Sequence, residues 1–128
     1  MNIVDSSGWI EYVTDGKNAT FFEAPITNSD DLLVPTICLY EVFKRVLREL
    51  GEERALDAMG VMSLGTILDL DRQIAIDAAQ ISNELKLAMA DSIILATARA
   101  NHATLWTQDE HFKHIESVKY IEKRLKSK

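Results

Sequence analysis

Four acidic residues beside apolar segments are of a type and position that could do chemistry: Asp5, Glu41, Asp91 and Asp109. A carboxylate next to buried side chains needs a partner, because burying an unpaired charge is costly. If the four carboxylates lie together, their mutual repulsion requires cations, and oxygen ligands suit Mg²⁺ or Mn²⁺ better than zinc. One or two such ions could activate a water molecule and stabilise the charge on a phosphoryl group.

Each of these acids taken alone also has an ordinary structural interpretation. Asp91 and Asp109 could each cap a helical segment. Glu41 could pair with a basic neighbour on a helix surface, and Asp5 could belong to a turn. That all four acids converge by accident is less expected than that any one of them is structural. Spacing alone, however, leaves a nuclease as one function among several that the sequence allows.

The elements that must position these acids are short strands alternating with helices. Apolar runs predict strands at 2–5, 32–36, 66–70, 103–107 and 118–121. Helical spacing predicts helices at 8–13, 39–50, 52–59 and 72–85, and a last helix that opens at Asp91. This alternation is typical of an α/β fold with a parallel sheet covered on both faces. Since ligands bind beyond the carboxyl ends of such strands, Asp5 and Asp109 should share one edge of the sheet.

Length and composition predict one globular domain, 1–128, in the cytoplasm. The chain has 128 residues, of which 47% are hydrophobic, so it can bury a core without disulfides. Cys38 is the sole cysteine, and its apolar neighbours favour a buried, inert thiol. We expect neither a signal peptide nor a membrane span.

The charge balance bears on what the protein can bind. A net charge of −6 argues against holding nucleic acid by bulk electrostatics, although bound cations would offset the carboxylates. Lys44, Arg45 and Arg48 lie just beyond Glu41 and could contact RNA phosphates, or form a solvated helix face. The basic segment 123–128 favours a frayed tail, with RNA contact as the second interpretation.

The acids also lie in segments that resemble the motifs of PIN domains. Residues 3–7 (IVDSS) resemble the first motif, and Glu41 matches the second acid by its position. Residues 90–98 (ADSIILATA) and 105–112 (LWTQDEHF) resemble the third and fourth motifs. The length and the motif order are similar to those of the VapC toxins of type II toxin–antitoxin pairs.

This resemblance implies a three-layer α/β/α fold with a central, mostly parallel sheet of four to five strands. It also implies Mg²⁺- or Mn²⁺-dependent endoribonuclease activity, inhibition by a cognate antitoxin, and homodimers. The implied catalytic and metal-binding acids are Asp5, Glu41, Asp91 and Asp109, with Ser7 and Thr107 as polar helpers. Many relatives carry a further acid where this chain has His111, which leaves the ligands of a second ion open.

Two other functions compete with RNA hydrolysis. A PIN-like module could have lost catalysis and act by binding a protein, which the retained acids disfavour. A phospho-receiver domain would suit the length and the α/β alternation, with Asp69 or Asp71 as the acceptor, but no strand-end lysine completes that set. A zinc site at His111 and His114 lacks further ligands at a recognisable spacing.

Overall fold

The computed structural model describes residues 1–124, in which five short strands form one sheet. The strands are β1 Asn2–Val4, β2 Leu32–Pro35, β3 Thr66–Leu68, β4 Thr104–Thr107 and β5 Val118–Tyr120. Their order is β3-β2-β1-β4-β5, and every neighbouring pair is parallel. The predicted parallel α/β fold is therefore confirmed. The order differs from the 2-1-3-4-5 order of receiver-like doubly wound domains, which disfavours that alternative.

Six α-helices of residues 1–124 connect these strands. They are α1 Ser6–Val13, α2 Ala19–Thr27, α3 Thr36–Leu50, α4 Glu52–Met62, α5 Arg72–Leu85 and α6 Met89–Ala100. Connections between parallel strands are right-handed, so the steps from β1 to β2 to β3 place α1–α4 on one face of the sheet. The return from β3 to β4 places α5 and α6 on the other face, which completes three layers.

The core lies between the sheet and these two helical layers. The strand residues Ile3, Val34 and Leu105 are fully buried, and Phe22 of α2 packs into the same core. All seven residues of 92–98 in α6 are buried, as expected for a helix enclosed on every side. Cys38 is also fully buried, which confirms its structural interpretation.

Several helix assignments differ from the sequence expectations: α1 and α3 begin earlier than predicted, α4 ends later, α2 was missed, and α6 has a different start. The sequence analysis did not predict α2, in which Pro25 lies near the end of the helix and is buried with Ile26. Proline in a helix interior removes a backbone hydrogen bond, so this helix is not favoured by local propensity. The expectation that the last helix opens at Asp91 was wrong: α6 begins at Met89, and Ala88 is its N-cap. Asp91 therefore lies within the first turn of the helix.

Two further expectations concern the ends of the chain and membranes. Of the basic segment 123–128, residues 125–128 lie outside the described residues. No helix within residues 1–124 combines the length and the apolar composition that a membrane crossing requires.

Candidate active site

The candidate site lies at the carboxyl ends of β1 and β4, where the order of strands reverses. Chain connections leave these two adjacent strands in opposite directions, which opens a crevice at the edge of the sheet. Asp5 directly follows β1, and its backbone N–H donates to the carbonyl of Trp106 at 3.1 Å. Asp109 follows β4 by two residues. The two acids share one edge, as strand alternation predicted.

Asp5 is a buried carboxylate held by three hydrogen-bond donors. Its oxygens accept from the backbone N–H of Gly8 at 2.9 Å, from Ser7 Oγ at 2.9 Å, and from Thr107 Oγ1 at 2.6 Å. Burial raises the pKa of Asp5 to about 7 although these hydrogen bonds oppose the shift, and the charge of Asp109 raises the pKa further. The bond from Gly8 also caps α1, so one side chain serves both the helix and the site.

Thr107 links Asp5 and Asp109. Its hydroxyl donates to Asp5 and accepts from the backbone N–H of Asp109 at 2.9 Å. Because Thr107 is fully buried, this hydroxyl fixes the separation of the two segments. Both Ser7 and Thr107, which the resemblance named as helpers, therefore contact the carboxylate of Asp5 directly.

Asp91 reaches the site from the first turn of α6. Its carboxylate is half-buried and makes no side-chain hydrogen bond within residues 1–124. Burial raises the pKa of Asp91 to about 6, and the charges of Asp109 and Glu41 raise it further, while His111 lowers it. An acid whose pKa is raised by neighbouring acids is favourably placed to receive a cation.

Glu41 projects from the second turn of α3 and accepts a hydrogen bond from Ser6 Oγ at 2.6 Å. The sequence assigned Glu41 by position alone, and it did not single out Ser6. Adjacent Ser6 and Ser7 look equivalent in the sequence, but they divide between two acids, Glu41 and Asp5. The first turn of α1 decides this division, because consecutive helical residues point in different directions.

Asp109 combines a structural and a site role, and it brings His111 into the site. Its carboxylate accepts from the backbone N–H of His111 at 2.9 Å and so caps the 3₁₀ segment Glu110–Phe112. The ring Nδ1 of His111 lies 3.0 Å from the same carboxylate oxygen. One possible ligand atom each from Asp91, Asp109 and His111 lies within 4.8 Å of the others. Sequence reasoning considered His111 as a departure from the motif and in a disfavoured zinc site with His114, but not as a neighbour of Asp91 and Asp109.

One open cavity of about 360 Å³ collects the predicted site residues. Its lining includes the four acids and three basic residues, here called the basic cluster: Asp5, Glu41, Asp91 and Asp109, with Lys44, Arg45 and Arg48. Thr107 lies beneath this lining, in contact with Asp5. Spacing alone left the convergence of the acids open, and the structure brings all four to one cavity.

Within residues 1–124, the partners that hold the basic cluster are exposed. Arg45 pairs with Glu49 at 2.6 Å, and Arg48 lies 3.9 Å from the same carboxylate. The ammonium of Lys44 lies 5.6 Å from the centre of the Tyr40 ring. Exposed ion pairs contribute little free energy, so these side chains can exchange their partners for a phosphate group.

The donor chemistry of the cavity fits a hard divalent cation. Carboxylate oxygens predominate, and the raised pKa values of Asp5 and Asp91 show the cost of ionising them with no cation nearby. The basic cluster balances only part of the negative charge. Cys38 lies below the acids, but burial raises the pKa of its thiol far above the usual range, so it does not offer a thiolate to a soft metal.

Comparison with known proteins identifies the family. The family model of the PIN domain matches residues 3–118. A toxin–antitoxin complex from Klebsiella pneumoniae is 24% identical, with a TM-score of 0.75 over 92% of this chain and 95% of that one. VapC20 from Mycobacterium tuberculosis, described as a toxin that cleaves the sarcin–ricin loop, is 12% identical, with a TM-score of 0.77 over 91% and 95%.

A DNA-bound VapBC complex from Salmonella typhimurium is 22% identical, with a TM-score of 0.74 over 95% of this chain and 98% of that one. No curated protein sequence matches the chain. At these identities the solved structures establish a shared fold, and the family model covers most of the sequence. The chain therefore belongs to the PIN domain family.

Proposed function

We propose that this protein is a Mg²⁺- or Mn²⁺-dependent endoribonuclease. The observation that carries the proposal is the meeting of four carboxylates, from four separate segments, in one open cavity beside a basic cluster. The structural similarity to VapC20, described as a toxin that cleaves the sarcin–ricin loop, supports RNA as the substrate class. The reaction is hydrolysis of a phosphodiester bond by water.

The residues proposed to hold the cation and to carry catalysis are Asp5, Glu41, Asp91 and Asp109. When bound, the ion supplies Lewis acidity toward a phosphoryl oxygen and toward the attacking water. A carboxylate oxygen that faces the cavity accepts the proton of that water. Ser7 and Thr107 hold Asp5 in position, and Ser6 holds Glu41, so the carboxylates are fixed before substrate arrives.

The basic cluster is proposed to bind RNA phosphates next to the scissile bond. It lines the same cavity as the acids, and the partners of its side chains among the described residues are exposed. A guanidinium such as that of Arg45 can donate two hydrogen bonds to one phosphate. This local basic surface allows a chain of net charge −6 to hold an anionic substrate.

We also propose that the whole chain, 1–128, is one domain that acts in the cytoplasm as the toxin of a toxin–antitoxin pair. Its partners would be a cognate antitoxin protein and a second copy in a homodimer. Support for the antitoxin comes from the similar structures described as toxin–antitoxin and VapBC complexes. A non-catalytic module remains the alternative, and the intact set of four acids disfavours it.

Cleavage of an RNA panel by matched variants tests the enzymatic proposal. Asp91→Asn removes a cavity carboxylate at nearly constant volume, and we expect RNA cleavage to fall at least about 100-fold with the circular dichroism spectrum unchanged. The control is Asp69→Asn, which changes an exposed acid outside the cavity and should cleave like the wild type. Wild-type cleavage should also stop in chelator and return with Mg²⁺ or Mn²⁺.

Full Mg²⁺-dependent cleavage by Asp91→Asn would contradict the proposed site. A wild-type protein that cleaves no RNA with either metal would favour the non-catalytic module. Two results together would revive the receiver alternative. Asp69→Asn would lose activity, and a small phosphodonor would label Asp69 covalently in the wild type.

A further inference from the structure

We propose that His111 is itself a ligand of the divalent cation and makes the site prefer Mn²⁺ to Mg²⁺. This inference rests on the proposed metal-dependent function, and it adds a nitrogen ligand to the four carboxylates. The imidazole lies beside the Asp109 carboxylate, on the segment that directly follows Asp109, and lines a pocket that shares Asp109 with the acidic cavity.

The geometry brings the imidazole within a short movement of a common coordination position. Ligand atoms on opposite sides of a cation with bonds of about 2.1 Å lie about 4.2 Å apart. The possible ligand atoms of Asp91, Asp109 and His111 lie within 4.8 Å of one another. A shift of less than about 1 Å therefore allows all three to bind one ion.

The segment that carries His111 is anchored, while its ring is exposed and faces the carboxylate of Asp109. Phe112 is fully buried next to it, and Asp109 caps the segment through the backbone N–H of His111. Thr107 in turn holds the backbone of Asp109. The side chain of His111 itself is 70% exposed, so the ring can rotate toward the cation without disturbing packing. The anchored backbone thus fixes the position of the His111 Cα, and binding a cation requires only a change of the side-chain torsion angles.

The chemistry of the imidazole nitrogen gives the direction of the selectivity. Mg²⁺ requires near-ideal octahedral geometry, keeps its waters and prefers oxygen ligands. A nitrogen ligand favours first-row transition ions, of which Mn²⁺ is the one that also suits a carboxylate-rich site. Replacing one oxygen donor by His111 should therefore raise the affinity for Mn²⁺ relative to that for Mg²⁺.

Pulsed electron paramagnetic resonance of the Mn²⁺-loaded full chain tests ligation without measuring activity. In protein labelled with ¹⁵N-histidine, we expect a ¹⁵N coupling to Mn²⁺ that disappears in His111→Ala. The chain supplies two matched controls, His102→Ala and His114→Ala, whose coupling should equal that of the wild type. Both control histidines are exposed, and neither belongs to the ligand cluster.

Calorimetric titration with each metal tests the selectivity. We expect the ratio of Mn²⁺ to Mg²⁺ affinity to fall at least about tenfold in His111→Ala and in His111→Asp, with Mg²⁺ binding retained in His111→Asp. Bound Mn²⁺ without ¹⁵N coupling in the wild type, or coupling that persists in His111→Ala, would overturn the role of His111 and leave the nuclease proposal standing. Binding of Mg²⁺ without Mn²⁺ by the wild type would overturn only the role of His111, whereas absence of binding of both ions would overturn both proposals.

Discussion

Asp5→Asn in the metal-free protein should remove the pH dependence that the buried carboxyl of Asp5 imposes on stability. Burial raises the pKa of Asp5 from 3.8 to about 7, so the folded protein holds this proton more tightly than the unfolded chain does. The free energy of unfolding therefore falls as pH rises from the lower to the higher of these values, and then levels off. Below the unfolded pKa both states are protonated, and the carboxyl causes no loss.

The size of the effect follows from the shift. A shift of about three units corresponds to about 4 kcal/mol above the folded pKa, of which about 2.5 kcal/mol develops between about pH 5 and pH 8. Asparagine cannot ionise, and it keeps an oxygen to accept from the backbone N–H of Gly8. The stability of Asp5→Asn relative to the wild type should therefore increase by about 2.5 kcal/mol over that range.

Urea unfolding in chelator, followed by the fluorescence of buried Trp9 and partly buried Trp106, measures this difference at each pH. Any constant cost of the altered hydrogen bonds cancels, because only the pH dependence of the difference is used. Adding Mn²⁺ should stabilise the wild type near pH 8 more than it stabilises the variant, since the ion binds the ionised carboxylates. A relative stability that changes by less than about 0.5 kcal/mol across the range would refute the buried-carboxyl reasoning.

Three other predictions concern packing, positioning and substrate binding. Gly8→Ala places a Cβ 2.5 Å from the Phe22 ring and should lower the free energy of unfolding in urea by about 1–3 kcal/mol. The control Gly60→Ala has open space around its Cβ and should be neutral or stabilising. Equal effects of the two substitutions would contradict the close packing of α1 on α2. Ser6→Ala should lower kcat about tenfold through a less restrained Glu41 with unfolding unchanged, and an unchanged kcat would remove Ser6 from the site. Replacing the three residues of the basic cluster by glutamine should raise KM at least about tenfold and flatten its dependence on salt, whereas an unchanged salt dependence would place the RNA elsewhere.

Much of the fold and part of the site followed from local pattern. Alternating apolar runs and amphipathic segments predicted the parallel sheet, because strand and helix periods are properties of short segments. Strand ends then placed Asp5 and Asp109 at one edge before any contact was known. Motif resemblance added Asp91 and Glu41, which spacing alone did not distinguish from a helix cap and a helix-surface acid.

Other features depended on neighbours that are distant in the sequence. The segment that forms α2 contains Pro25 and was not predicted to be helical. Burial of Phe22 and Ile26 stabilises this helix nonetheless. The start of α6 at Met89 changed Asp91 from a cap into a side chain that faces the cavity. Local propensity is weak compared with tertiary burial at both places.

What the sequence by itself determined is the set of chemical groups and the sheet edge at which two of them must meet. Only the tertiary structure decided that Ser6 holds Glu41 while Ser7 holds Asp5, and that His111 stands against Asp109. The physical reason is that periodicity sets the direction of each element, whereas the contacts between side chains depend on the order of strands and on how the helices pack across them.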